Sequence, residues 1–290
     1  MISREFIEHL SKLSGTGSES FRHHTAVGGG SINHCFHLQY REKSFFLKVN
    51  DAEKFPGMFD AERSGLDLLR RHCTLHIPEV IATGIYNKQT FILMNYIRPG
   101  IKTADFFESL GIGLADLHSA KSDKAGLDHS NYIGSLTQLN DYKKDCIKFF
   151  IELRLLPMMK LAKENRLLPA ETERGLLMLI DKLPAMLPIE KPSLLHGDLW
   201  SGNYMSDSAG KPCLIDPAVY FGHREADIAM TKLFGGFDDV FYIAYNDALP
   251  LFPKWEERID LWNLYPLLVH LNLFGRAYLN DIRLTVEKYN

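Results

Sequence analysis

The chain has 290 residues, 46% hydrophobic and 24% charged, the proportions of an ordinary folded protein, with length for one large domain or two small lobes. Its 33 basic and 36 acidic residues give a formal charge of −3, so no cationic excess exists to steer nucleic acid or an anionic membrane. Cys35, Cys73, Cys146 and Cys213 show no CxxC and no paired spacing, which argues against a disulfide framework and for reduced thiols in a cytoplasmic protein.

Residues 1–10 carry an amphipathic helix pattern with no apolar leader run, so secretion is not expected. Residues 22–27 read as a strand running into Gly28-Gly29-Gly30-Ser31, and 32–40 and 44–50 as strands joined by the polar turn Arg41-Glu42-Lys43. A helix is expected over 58–72, with Phe59, Leu66, Leu68 and Leu69 apolar, then a hairpin over 79–86 and 89–96. Pro99-Gly100 breaks the chain. Beyond it the pattern is mostly helical, over 103–118, 141–164, 170–183 and from 226 onward. One short pair of apolar runs interrupts it, Leu194-Leu195 and Cys213-Leu214-Ile215, which read as the two strands of a hairpin. The most membrane-like stretch, 261–279, holds Asn263, His270, Asn272 and Arg276 and reads as a core helix. The order predicts an α+β, bilobal fold. A small antiparallel-sheet N-lobe with one main helix would occupy 1–97 and a larger, mostly helical C-lobe 98–290, with a cleft between them and a hinge near 95–102.

The informative stretch is His196-Gly197-Asp198-Leu199-Trp200-Ser201-Gly202-Asn203, followed by Asp216. His-x-Asp-x-x-x-x-Asn with a later Asp is the spacing of a phosphoryl-transfer catalytic loop and its metal ligand. Asp198 can take a proton from an alcohol, acting as an ordinary carboxylate of low basicity. Asn203 and Asp216 offer the hard oxygens that Mg²⁺ prefers, though Asp216-Pro217 also reads as a turn acid. His196 is expected to bond backbone rather than react. The glycines at 28–30 suit either a phosphate-covering loop or a plain hairpin turn. Lys48, inside Phe45-Phe46-Leu47-Lys48-Val49, either points to solvent or needs a buried partner, for which Glu62 on the next helix is the candidate. Gly197 stands where protein kinases carry Arg, only ten residues separate Asp216 from Asp227, and no Ala-Pro-Glu follows. That leaves no room for an activation loop and favours an acceptor smaller than a folded peptide segment.

On these residues, and on Gly28-Gly29-Gly30-Ser31-Ile32-Asn33, Met58-Phe59-Asp60-Ala61-Glu62, Leu114-Ala115-Asp116-Leu117-His118 and the run from Asp216 to Met230, the chain resembles the fructosamine kinases. These are a branch of the aminoglycoside-phosphotransferase and choline-kinase-like fold, so the resemblance implies a bilobal protein-kinase-like fold. The resemblance implies ATP-dependent, Mg²⁺-dependent phosphorylation of the O3 hydroxyl of a ketosamine, free or protein-bound, which destabilises the adduct and releases the amine. It implies Asp198 as proton acceptor, Lys48 and Glu62 as the phosphate-binding pair, Asn203 and Asp216 on Mg²⁺, and backbone groups of Met94, Asn95 and Tyr96 on adenine. Trp200 is a candidate wall for the sugar or a packing residue behind the loop. Glu225 and Asp227 are expected to brace the loop. Ser31 replaces a cysteine that many relatives carry, and Tyr142 a tryptophan. No membrane or nucleic-acid partner is implied, and a monomer is favoured. The alternatives are a kinase of the same fold for an aminoglycoside or choline-like acceptor, or a silent nucleotide-binding module.

Overall fold

A computed structural model describes residues 2–16, 21, 23–27 and 32–290. Gly28, Gly29, Gly30 and Ser31, expected near phosphate, lie outside the described residues. The chain forms two compact units, Met1–Arg71 with Leu75–Phe106 and Met205–Ile215, and His72–Thr74 with Phe107–Tyr204 and Asp216–Asn290. The expected α+β class, an antiparallel sheet followed by a largely helical remainder, is the class found.

In the first unit, helix α1 (Arg4–Leu13) is capped by Ser3, whose Oγ accepts from the Phe6 N–H. Strands β1 (His23–Val27), β2 (His34–Tyr40) and β3 (Lys43–Asp51) precede helix α2 (Met58–His72), and β4 (Val80–Tyr86) and β5 (Gln89–Asn95) follow it. They make one antiparallel sheet in the order β1-β2-β3-β5-β4. The central strand β3 alternates. Phe45, Leu47 and Val49 enter an apolar cluster with Phe6 and Leu10 of α1 and with Phe91 and Leu93 of β5. Period-two geometry therefore turns Phe46 and Lys48 to the other face.

The remaining elements are helix α3 (Phe106–Ser119), hairpin β6 (Asn131–Ile133) and β7 (Leu136–Gln138), helices α4 (Cys146–Phe150), α5 (Leu156–Glu164) and α6 (Ala170–Met186), strands β8 (Ser193–Leu195), β9 (Tyr204–Ser206), β10 (Pro212–Leu214) and β11 (Tyr220–Gly222), and helices α7 (Glu225–Leu233), α8 (Asp239–Ala248), α9 (Ile259–Phe274) and α10 (Leu279–Tyr289). The main core of the second unit gathers α5, α6, α9 and α10 around Leu155, Leu176, Leu183, Leu264 and Leu268. Helix α9 is buried nearly all round, the core helix expected from its sequence. No helix among the described residues is long and apolar enough to cross a membrane.

Three local expectations are corrected. The two apolar runs flanking the catalytic stretch do not pair with each other. Strand β8 pairs with β11, Leu195 opposite Tyr220, and β10 pairs with β9. The β9–β10 hairpin is the local solution, because Asp207 accepts from the Ala209 and Lys211 N–H groups and closes a tight turn at little entropic cost. The helix expected over 141–164 starts only after Asp145, whose carboxylate caps α4 through the Lys148 N–H. A π-helical turn, Ile151–Leu155, then separates α4 from α5. That turn carries the fully buried Arg154, stacked on Tyr220 at 4.0 Å and Phe149 at 4.5 Å and bonded to Asn140 Oδ1 at 2.7 Å. Finally, the stretch from 226 onward is four α-helices, the first ended by Gly235 and Gly236 at φ +68° and +90°.

Candidate active site

In the first unit, Lys48 is held opposite Ile92 by the β3–β5 ladder and is almost fully buried. Its Nζ donates to Glu62 Oε1 at 2.6 Å. Glu62 lies between Phe59 and Leu66 on α2, one turn from each, so burying that helix face aims the carboxylate at the sheet. The solvent-facing alternative for Lys48 is excluded, since an unpaired cation at that depth costs several kcal/mol, of order 3–5. At the end of β5, the Asn95 N–H donates to Glu79 O at 2.9 Å and the Tyr96 N–H to Ser44 O at 3.2 Å. Any adenine contact from Asn95 or Tyr96 therefore comes through their carbonyls rather than these N–H groups. Met94 is buried in the strand.

In the second unit, the catalytic stretch follows β8 and is pinned from beneath. Asp227, buried on α7, accepts from the His196 N–H at 2.7 Å and the Gly197 N–H at 2.9 Å. His118 donates through Nε2 to Asp227 at 3.2 Å and accepts the Tyr245 hydroxyl at Nδ1, 2.7 Å away. Burial lowers the His118 pKa, which keeps it neutral in this tautomer. The brace expected of Asp227 is present. Glu225 acts elsewhere, paired with Arg258 and with the Trp262 indole N–H. His196 accepts the Asp198 N–H at Nδ1, the backbone-bonding part expected of it. Gly197 sits at φ +82°, and a Cβ there would stand 2.0 Å from Ala218 O. Only glycine fits that position, which is the physical reason for the departure from the protein-kinase Arg.

Asp198, Asn203 and Asp216 are brought together. Asn203 Nδ2 donates to Asp198 O at 2.8 Å and to Asp198 Oδ2 at 2.9 Å, and it approaches Asp216 O at 3.5 Å. Asp216 is in the left-handed region at φ +54°, a conformation that costs a non-glycine residue about 1 kcal/mol or more. The structure beyond it supports the strain. Gln138 donates to Ala218 O at 3.0 Å and Asn131 to Val219 O at 2.9 Å, while the Ala218 N–H reaches His196 O. Gln138 Oε1 in turn accepts the Tyr265 hydroxyl. Burial, reinforced by the neighbouring carboxylates of Asp216 and Asp227, pushes the Asp198 pKa up to about 7, against the lowering hydrogen bond from Asn203. That overturns the expected ordinary carboxylate of low basicity: the group is poised as a base near neutral pH. Beside it lies a cavity of about 20 Å³, lined by Ile133, Gly197, Tyr265, Pro266 and His270, with room for one hydroxyl or water oxygen. Trp200 is about a third exposed, its ring folded over Gly202, where any Cβ would collide with it.

The family model of the fructosamine kinases matches residues 3–290. The chain belongs to the fructosamine kinase family. Across 265 residues it is 39% identical to a probable ketoamine kinase of Vibrio parahaemolyticus, covering 90% of each chain. It is 37% identical over 268 residues to a chloroplastic protein-ribulosamine 3-kinase of Arabidopsis thaliana, covering 91% of this chain and 81% of that one. A crystal structure of a candidate fructosamine-3-kinase from Thermobifida fusca superposes with a TM-score of 0.87 at 32% identity, covering 97% of this chain and 96% of that one.

Against this family background, the donor set suits Mg²⁺ brought in on a nucleotide. With Nδ2 donating to Asp198, Asn203 has Oδ1 as the atom that would face a cation, together with a carboxylate oxygen of Asp216. Mg²⁺ commonly takes one or two protein carboxylates and completes its shell with phosphates and water. Sequence reasoning found the acids and the amide, but it missed Gln138, Asn131 and His118. The first two are ordinary polar residues in a short hairpin, with no pattern to mark them. His118 closes an apolar helix, and a buried partner could have been suspected for it.

Proposed function

We propose that this fructosamine kinase family member transfers the γ-phosphoryl group of ATP to the O3 hydroxyl of a ketosamine, free or carried on a protein lysine. The reading rests on the Asp198–Asn203–Asp216 constellation in a chain 37–39% identical to ketoamine and ribulosamine kinases. Asp198 receives the O3 proton as that oxygen bonds to the γ-phosphorus and the bond to the β–γ bridging oxygen breaks, leaving ADP. Its raised pKa makes it a competent acceptor near pH 7. Asn203 keeps the carboxylate oriented, and the Asp227 brace holds the loop that presents it. Lys48, positioned by Glu62, supplies fixed positive charge for the nucleotide phosphates. Asp216 and Asn203 would hold Mg²⁺ brought in with ATP, and the ion would offset charge on the transferring group. An O3 phosphate lies next to the C2 carbonyl, where enolisation toward C1 expels it as inorganic phosphate and leaves an imine at C1, and hydrolysis of that C=N bond by water releases the amine.

ATP consumption with Mg²⁺ is to be measured over fructose-, ribulose- and erythrulose-lysine, choline and kanamycin. The ketosamines are expected to be turned over, and Asp198→Ala should lower kcat by at least about 10³-fold with nucleotide affinity within a few-fold. Turnover of choline or kanamycin alone, or an unimpaired Asp198→Ala enzyme, refutes the assignment.

A further inference from the structure

The Asp198 cavity is joined through one of its lining residues, His270, to a cluster of aromatic rings. His270, which lines that cavity with Asp198, stands at the centre of a run of rings. Phe234 lies 4.9 Å from it, with Tyr278 at 4.9 Å and Phe274 at 5.4 Å. Trp200 extends the run, edge-on to Phe234 at 5.9 Å. Phe234 is 39% exposed and Phe274 51%. A lone exposed aromatic needs no explanation, but a partly exposed strip of rings that reaches the cavity of a carboxylate through His270 marks a binding surface. Tyr278 also packs against the core of the second unit, whereas the exposed Phe234 and Phe274 are not part of that core. The backbone is also shaped to build the strip. Gly235 and Gly236 take positive φ, and a Cβ on Gly236 would stand 2.6 Å from the Ser201 side chain. That close approach brings Phe234 to Trp200. The centre of the strip is uncharged, since His270 Nδ1–H is committed to Pro266 O at 2.7 Å and burial lowers its pKa.

The chemistry of a ketosamine dictates what meets this strip. Only C2 and C1 separate C3 from the amine nitrogen, so an O3 hydroxyl at Asp198 leaves the nitrogen about 5 Å away. The cavity admits the hydroxyl and nothing more, so the amine and its substituent run out along the rim. At neutral pH the nitrogen is a secondary ammonium, which aromatic faces attract, whereas a carboxylate is repelled by the same negative faces. We infer that Phe234, Phe274 and Tyr278, flanking His270, form a subsite for the amine half of the substrate. It selects ketosamines of aromatic or long alkyl amines, the lysine side chain included, over those of small or anionic amines. This inference rests on the ketosamine kinase reading given above.

The test compares kcat/KM, with saturating MgATP, for the fructose adducts of benzylamine, Nα-acetyl-lysine amide, methylamine and glycine. The native enzyme should favour the benzylamine and lysine adducts over the methylamine adduct by about ten-fold, through KM rather than kcat, with the glycine adduct poorest. The double variant Phe234→Ala/Phe274→Ala should bring that ratio to within about two-fold, and Phe274→Tyr, which keeps the ring, should retain it. Both sites are exposed, so the variants should melt within a few degrees of the native protein. Equal kcat/KM for all four adducts in the native enzyme overturns the subsite while leaving the kinase assignment standing. A preference that survives in the double variant does the same. Failure of every adduct to consume ATP overturns the kinase reading, and the subsite falls with it.

Discussion

Asp198→Asn should stabilise the nucleotide-free protein, and by an amount that grows with pH. In the folded chain the carboxyl titrates near 7, whereas in the unfolded chain it titrates at its ordinary value of 3.8. A folded pKa above the unfolded one gives stability that is complete below pH 3.8 and is lost as pH rises through 7, because the fold disfavours the charge. Linkage between those two values puts the loss at about 1.7 kcal/mol by pH 5 and about 4.3 kcal/mol by pH 8. The amide of asparagine does not titrate, and Asn203 Nδ2 can still donate to its oxygen. Any pH-independent effect of the substitution cancels when the two conditions are compared. The advantage of Asp198→Asn over the native chain should therefore be about 2.6 kcal/mol greater at pH 8 than at pH 5. Urea unfolding of both proteins at the two pH values, in EDTA and without nucleotide, measures it directly. The same variant should be inactive, so the residue that limits stability is the one on which turnover depends. An equal difference at pH 5 and pH 8, or a larger one at pH 5, would refute the claim that burial and the neighbouring acids hold this carboxyl near neutrality.

Lys48→Met removes the cation that Glu62 is paired with and leaves that half-buried carboxylate without its compensating charge. It should cost about 3 kcal/mol in urea unfolding, with Lys48→Met/Glu62→Leu recovering most of it, whereas an additive double variant would deny the coupling. In the enzyme, Lys48→Met should raise KM for ATP at least about ten-fold while leaving the acceptor KM within a few-fold. Gly197→Ala meets both a positive φ and the Ala218 carbonyl. It should destabilise by about 2 kcal/mol or more and depress kcat, and a native-like melting curve with full turnover would show that the loop does not need glycine there.

Much of the first unit was legible because it obeys local rules. The alternation through Phe45, Leu47 and Val49 marks a half-buried strand, and Phe59, Leu66 and Leu69 mark a helix face, so Glu62 could be offered as a candidate partner for Lys48, with a solvent-facing lysine left open as the alternative. The acids proposed for catalysis were legible for another reason: phosphoryl transfer fixes residue types at set intervals within one loop, and an interval survives in a linear string. Strand pairing was not legible. Three-residue strands such as β8 and β10 are too short for periodicity to choose a partner, and the pairing of Leu195 with Tyr220 and the turn closed by Asp207 between β9 and β10 decided it. The π-turn at Ile151–Leu155 was hidden for a similar reason, since Arg154 is stabilised there by Tyr220 and Asn140, both distant in sequence.

By itself, then, the sequence determined which side chains could do chemistry, the antiparallel and helical character of the two units, and the family. Tertiary structure alone decided how basic Asp198 is. Its pKa reflects the burial of one carboxylate close to Asp216 and Asp227, and the distance between charges and their depth below the surface are properties that only the folded chain possesses.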